Sequence, residues 1–244
     1  MPCFSPSDDE PLAMSRRAAV FGFGAAALLA GCSRSMDLAE FEIDEFTTGT
    51  VRPKISVDRQ VTQPELMYAS FEDGGFVLPE VPFKKVEPKW RRQIVVDPTG
   101  EAPGTIVVRL EERHLYWVQP GGDALRYGVG IGREGFSWQG EGVIQWRQKW
   151  PKWTPPAEMI ARQPQLARFS AENGGQPPGL DNPLGARALY IFQNGQDTLY
   201  RLHGSPEWNS IGRAVSSGCV RLMNQDIIDL YERVPNKARI VVWQ

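Results

Sequence analysis

Residues 105–130 read TIVVRLEERHLYWVQPGGDALRYGVG, and this stretch decides the fold. Two runs rich in β-branched and aromatic side chains, Thr105–Leu110 and His114–Gln119, are followed by the Gly121-Gly122 turn and a third run, Leu125–Gly130. Short runs of this composition bounded by turn formers predict a β meander. Working outward to the C-terminus, Gly142–Arg147 continues the strand pattern. Trp150–Pro156 is a stiff Pro-rich loop that leads into a short predicted helix over Ala157–Gln163, and Gly174–Leu184 is a Gly/Pro loop. Ala188–Gln193 and Thr198–His203 flank Asn194-Gly195, a strong hairpin signal. After an extended Val220–Leu222, Asn224 is expected to cap a helix running to about Val234, with Ile227, Leu230 and Val234 on one face, before a closing strand over Arg239–Trp243.

Upstream of residue 103 the texture differs. Residues 32–102 contain Pro53, Pro64, Pro79, Pro82 and Pro88 without a sustained period, which reads as a tether and irregular N-terminal extension. Its apolar islands, Phe76-Val77-Leu78 and Val95-Val96, are expected to pack onto the following domain. Further upstream, Ser15-Arg16-Arg17 precedes an apolar run from Ala18 to Ala30, then Gly31-Cys32. That run is too short to span a bilayer and reads as an export signal. Leu29-Ala30-Gly31-Cys32 resembles a bacterial lipobox, so residues 1–31 are expected to be a lipoprotein signal peptide and Cys32 the lipidated residue. The implied location is periplasmic, with the outer membrane favoured because Ser33 is not an Asp-type retention signal.

Composition excludes whole classes. At 244 residues with 41% hydrophobic and 23% charged content the chain can bury a core, and 27 Lys+Arg against 29 Asp+Glu leave no basic excess for nucleic acid. Three Cys and two His offer no metal-ligand spacing, and no Gly-rich phosphate loop follows a strand; no cofactor is expected.

Of the three cysteines, Cys3 lies in the signal segment and Cys32 would carry lipid, which leaves Cys219 as a lone thiol in an exported protein. A thiol without a disulfide partner in an oxidising compartment is either buried or chemically active. His203 precedes it in His203-Gly204 … Ser216-Ser217-Gly218-Cys219-Val220-Arg221, which suggests a Cys-His pair with the imidazole as base. Gly218 permits a tight turn that points successive backbone N–H groups at one oxyanion. Arg221, two residues after Cys219, projects on the same face of an extended segment and can favour thiolate or hold a carboxylate. His114, in a strand pattern between Arg113 and Leu115, is expected at the surface or at a sheet edge.

The combined motif resembles the bacterial L,D-transpeptidases with the YkuD-type catalytic domain. Asn182-Pro183-Leu184-Gly185 with Ala188-Leu189-Tyr190 is similar to the same family. The resemblance covers residues 103–244 and implies a mainly β, sandwich-like catalytic fold with a short C-terminal helix and strand. It implies acyl transfer on peptidoglycan stem peptides: Cys219 attacks the carbonyl between diaminopimelate and D-Ala, D-Ala leaves, and a thioester remains. His203 acts as base and then acid, oriented by the Gly204 carbonyl. The N–H groups of Ser217, Gly218 and Cys219 form the oxyanion hole, Arg221 meets a stem carboxylate, and Tyr190 and Trp153 are candidates for lining the cleft. Many members carry a second His where this chain has Ser217. The acceptor can be a diaminopimelate amine, a wall-protein lysine or water, the last giving an L,D-carboxypeptidase. A sortase-like transpeptidase and a non-catalytic wall-binding lipoprotein are the competing readings. A papain-like peptidase normally places Cys before His, the reverse of the order here.

Overall fold

The computed structural model describes residues 63–132, 138–216 and 218–244. The predicted signal peptide, Cys3, Cys32, the first part of the tether and Ser217 lie outside the described residues.

The protein is mainly β. In chain order it forms α1 (Pro64–Met67), β1 (Phe71–Asp73), β2 (Phe76–Leu78), β3 (Gln93–Val96), β4 (Ile106–Arg109), β5 (His114–Val118), β6 (Asp123–Gly128), β7 (Ile131–Gly132), β8 (Gly140–Lys149), α2 (Ala157–Arg162), β9 (Arg187–Gln193), β10 (Gln196–Ser205), β11 (Ala214–Ser216), β12 (Val220–Met223), α3 (Asn224–Arg233) and β13 (Arg239–Trp243). Nine strands form one mixed sheet in the order β12-β10-β9-β8-β13-β4-β5-β6-β3. The β10–β12 and β13–β4 pairs are parallel. The hairpin between β9 and β10 turns at Asn194-Gly195, both with positive φ, the geometry that residue pair favours.

One face of the sheet carries Ile106, Leu115, Leu125, Tyr127, Ile144, Leu189, Ile191, Leu202 and Leu222, packed with Ile227, Leu230 and Val234 of α3. A continuous core drawn from strands near both ends of the sheet order requires strong curvature. The curvature is fastened by a backbone exchange beyond β6: the Gly130 N–H donates to the Arg221 carbonyl at 2.9 Å and the Arg221 N–H to the Gly130 carbonyl at 2.8 Å. β7 pairs with β11 beside this clasp, giving the sandwich-like closure.

Residues 63–102 are built into this architecture. β3 pairs antiparallel with β6 as the last strand of the sheet. Met67, Tyr68, Val81, Phe83 and Val86 form a second core with Ile211 and Met223. The β1–β2 hairpin is tied down by charge: Arg187, 1% exposed, donates from both terminal nitrogens to Asp73 at 2.7 Å, and the Trp150 indole N–H donates to the same carboxylate at 2.7 Å. Of the apolar islands, Leu78 is buried and Phe76 packs on Trp150 at 4.2 Å between ring centroids, whereas Val77 and Val96 are exposed.

Two expectations are corrected. His114 is neither at the surface nor on an edge: β5 lies between β4 and β6, and the ring is buried against Trp90 with Nε2 3.0 Å from the Lys89 carbonyl. Asn224 does not cap α3, whose N-cap is Met223 without a side-chain bond. Its Oδ1 instead accepts the Ala186 N–H at 3.0 Å, satisfying a buried donor that no strand partner reaches.

Candidate active site

The register of β10 on β12 places the reactive residues. Leu202 pairs with Val220 and His203 with Arg221. Leu202 and Val220 are both in the main core, so alternation sends His203 and Arg221 to the opposite face. Cys219 immediately precedes Val220, in the bend that leads into β12, where the Arg201 backbone N–H and the Arg201 and Arg221 guanidinia act on its thiol. The Cys219 thiol is half-buried, 4.0 Å from the Leu199 carbonyl.

Two parallel rows therefore cross this face. One runs Trp146, Tyr190, Arg201; the other runs Gln148, Ala188, His203, Arg221. In the first row the Trp146 and Tyr190 rings stack at 3.8 Å, and the Arg201 guanidinium covers the other face of Tyr190 at 4.4 Å. Asp197 holds that guanidinium with bonds of 2.6 and 2.7 Å. Tyr190 thus has both ring faces occupied and its hydroxyl on Gln148 at 3.0 Å, so it supports Arg201 and presents no free ring face to a ligand.

His203 is 4% exposed, and its Nδ1 lies 2.6 Å from the Gly204 carbonyl. A carbonyl only accepts, so Nδ1 carries the proton and Nε2 is left as the base. Gly204 is itself locked: a Cβ there would lie 2.3 Å from the Asn224 Oδ1 and 2.9 Å from the Ile227 Cγ2. Burial pushes the imidazole down to about 4, opposed by the Gly204 and Pro183 carbonyls and reinforced by Arg221 and Arg201. Burial pushes the Cys219 thiol up, offset in part by the Arg201 backbone N–H and the Arg201 and Arg221 guanidinia. Near neutral pH the pair rests as neutral thiol and neutral imidazole, the state in which His203 can take the thiol proton as a bond forms.

Gly218 has φ +141°, a region that L side chains avoid, so the turn into Cys219 requires glycine. Arg221 donates to Glu207 at 2.9 Å. Trp153 belongs to the covering loop: it exchanges backbone bonds of 3.0 and 2.7 Å with Gln176, and its described hydrogen bonds do not reach His203. Asn182 knits the same loop, donating to the Pro151 and Pro177 carbonyls at 3.1 and 3.0 Å, and so fixes Pro183 beside His203. Two residues beyond His203, at Ser205, opens a cavity of about 270 Å³ lined also by Glu80, Asp181 and Trp208.

The structure thus pairs His203 with Arg221 across β10 and β12, sets Gly204 against the His203 ring and Gly218-Cys219 just ahead of β12, and leaves Tyr190 packed between Trp146 and Arg201 and Trp153 bonded to Gln176. Sequence reasoning missed Arg201, Asn224 and Glu207. The Asp197–Arg201 spacing was the one available signal for Arg201, but it sits inside a strand, where a bulge between Asp197 and Arg201 brings the two together. Asn224 and Glu207 carry no local signature.

Residues 103–242 match the L,D-transpeptidase catalytic domain family, YkuD. Among curated relatives, the probable L,D-transpeptidase YbiS of Escherichia coli K12 is 36% identical over 140 residues, which is 55% of this chain and 43% of that protein. The probable L,D-transpeptidase ErfK/SrfK of the same strain is 34% identical over 140 residues, 56% of this chain and 43% of that protein. The chain thus spans less than half the length of these two relatives. A Brucella melitensis crystal structure described as a probable carnitine operon oxidoreductase is 42% identical, covering 63% of this chain and 94% of that one, with a TM-score of 0.45. With more than half of its length matched to that family, the chain belongs to the YkuD L,D-transpeptidases.

Proposed function

We propose that the protein is an exported cysteine acyltransferase that acts on the tetrapeptide stems of peptidoglycan. Cys219 adds to the carbonyl of the diaminopimelate–D-Ala bond while its proton passes to His203 Nε2. The tetrahedral oxyanion is held by backbone N–H groups around Gly218. Collapse breaks the C–N bond, and D-Ala leaves with the proton returned by His203. An amine then attacks the thioester, gives its proton to His203, and restores the thiol. The observation that carries this reading is the His203 ring, held at Nδ1 by the Gly204 carbonyl in the strand register that sets it beside Arg221, two residues after Cys219.

The export segment and Cys32 support a periplasmic, lipid-anchored enzyme, on the outer membrane by the Ser33 criterion. Mass spectrometry of the protein incubated with disaccharide-tetrapeptide tests the proposal, with Cys219→Ala alongside. D-Ala loss with a crosslinked dimer and a Cys219 acyl adduct is the expected result. D-Ala loss alone identifies a carboxypeptidase. Identical blank spectra from both proteins, where an active relative works, overturn the reading.

A further inference from the structure

Arg221 stands beside His203 in the site row, yet its guanidinium is already engaged. Nη1 donates to Glu207 at 2.9 Å. The two partners are unequal: the Arg221 side chain is 18% exposed and the Glu207 side chain 64% exposed. Arg221 is held in β12, whose backbone is clasped to Gly130 on one side and paired with β10 on the other. Glu207 belongs to the loop after β10. Its backbone N–H donates to the Ser205 hydroxyl at 3.1 Å and its carbonyl accepts the Ser210 hydroxyl at 2.6 Å, so the loop backbone is fixed while the carboxylate reaches through solvent. A fixed cation and a swinging anion make a contact that a competing carboxylate can replace with little rearrangement. Among the described residues the Arg221 Nε has no hydrogen-bond partner, so the guanidinium has a donor that Glu207 does not use. A carboxylate seated on both Nε and Nη would satisfy Arg221 better than the single bond present.

Resting on the acyltransferase reading above, we propose that Glu207 is a placeholder carboxylate, which occupies Arg221 in the resting protein and yields to the diaminopimelate side-chain carboxylate of the acyl donor. Glu207 thereby sets the selectivity of the site. It demands that an incoming donor bring a carboxylate at that position to displace it. Neutral donors gain nothing from Arg221 while Glu207 remains.

The test compares wild type, Glu207→Gln and Glu207→Asp on two synthetic donors, a tetrapeptide with the free diaminopimelate side-chain carboxylate and the same peptide as its carboxamide. Equilibrium binding is measured in a Cys219→Ala background and turnover in the active protein. Removing an exposed competitor worth one charged hydrogen bond is expected to tighten binding of the carboxylate donor about fivefold, with a matching fall in KM. The carboxamide donor is expected to bind all three proteins alike. If Glu207→Gln weakens the carboxylate donor, Glu207 is a positioning residue for Arg221 and the proposal fails. If both donors shift together, it fails as well. Binding that follows the expected pattern without D-Ala release from either donor sinks the acyltransferase reading and leaves the carboxylate exchange standing.

Discussion

A Cβ placed on Gly204 would lie 2.3 Å from the Asn224 Oδ1, so these two residues are packed as closely as a glycine and an amide can be. The contact joins the start of α3 to the carbonyl that orients His203, and Asn224 holds its position by accepting the buried Ala186 N–H. Gly204→Ala must displace either the amide or the β10 backbone, at a cost of about 1–3 kcal/mol. Asn224→Ala removes the clash partner but orphans the Ala186 N–H, which costs about 1–3 kcal/mol by a different route. Urea denaturation is expected to show both losses. Only Gly204→Ala is expected to slow Cys219 acylation at least tenfold in the surviving folded fraction, because only it tilts the carbonyl from Nδ1.

Two buried titrating groups oppose each other between about pH 4 and 7. His203 is pushed down to about 4 by burial, so in this window the unfolded chain binds its proton and the native state does not; this contribution to stability falls as pH falls from 6.5. Asp226, fully buried beneath Tyr68, is pushed up to about 7 by burial, with Arg92 lowering it and Asp229 raising it. Here the native state holds the proton that the unfolded chain has released, so this contribution falls as pH rises towards 7. His114, also lowered by burial, and the lowered carboxylates of Asp73, Asp197 and Asp229 act in the same direction as His203, so only differences between variants isolate the two groups. Relative to wild type, His203→Gln is expected to tilt the curve towards decline with rising pH, and Asp226→Asn towards a steeper rise. Chemical denaturation at half-unit pH steps measures both, and parallel curves for the two variants would refute the assignment.

The hairpin β1–β2 contributes Asp73 to a partner 114 residues away. Asp73→Ala leaves the Arg187 guanidinium buried without its carboxylate, and removing one partner of such a pair costs about 3 kcal/mol or more. Asp73→Asn keeps an acceptor and is expected to lose less. The same logic applies to a fragment beginning at residue 103, although the family match begins there. It would strip β3 from β6, the second core from Met223, and Arg92 from Asp229, to which it is bound at 2.6 Å. Calorimetry is expected to show a cooperative transition for residues 63–244 and none for 103–244.

The contrast between those two fragments shows where sequence reading stops. Strands with local signatures were legible: the Asn194-Gly195 turn and the runs around residues 105–130 give β9, β10 and the meander within a few residues. Cys219 and His203 were legible as candidates because a lone thiol after glycine has few other uses in that pattern, and the β10–β12 register sets His203 beside Arg221, two residues after that thiol. What escaped depends on partners distant in the chain. Asp73 finds Arg187, Tyr68 finds Asp226, and neither leaves a periodicity in the Pro-rich stretch that contains the first member. His114 looked peripheral because its cover, Trp90, comes from that same stretch. Asn224 has the residue type and position of a helix cap, and a tertiary donor outcompeted the local ones.

Gly218 separates backbone strain from crowding. Its φ of +141° is hostile to any side chain, but among the described residues a Cβ there would meet only the Tyr200 Cε1 at 4.0 Å, an ordinary contact. Gly218→Ala therefore fits the space and fails on the torsion, at about 1–3 kcal/mol. The turn can relieve that strain by rotating the peptide planes on either side of residue 218, whose N–H groups are the oxyanion donors of the mechanism proposed above. The expected outcome is a modest loss of stability with a much larger loss of acylation, at least a hundredfold, since a displaced oxyanion donor costs about 10²–10³ in rate. The thiol itself should stay accessible, so iodoacetamide, which forms no oxyanion, should label Gly218→Ala at close to the wild-type rate. Equal losses in both reactions would show that the substitution had moved Cys219 rather than the amides around it.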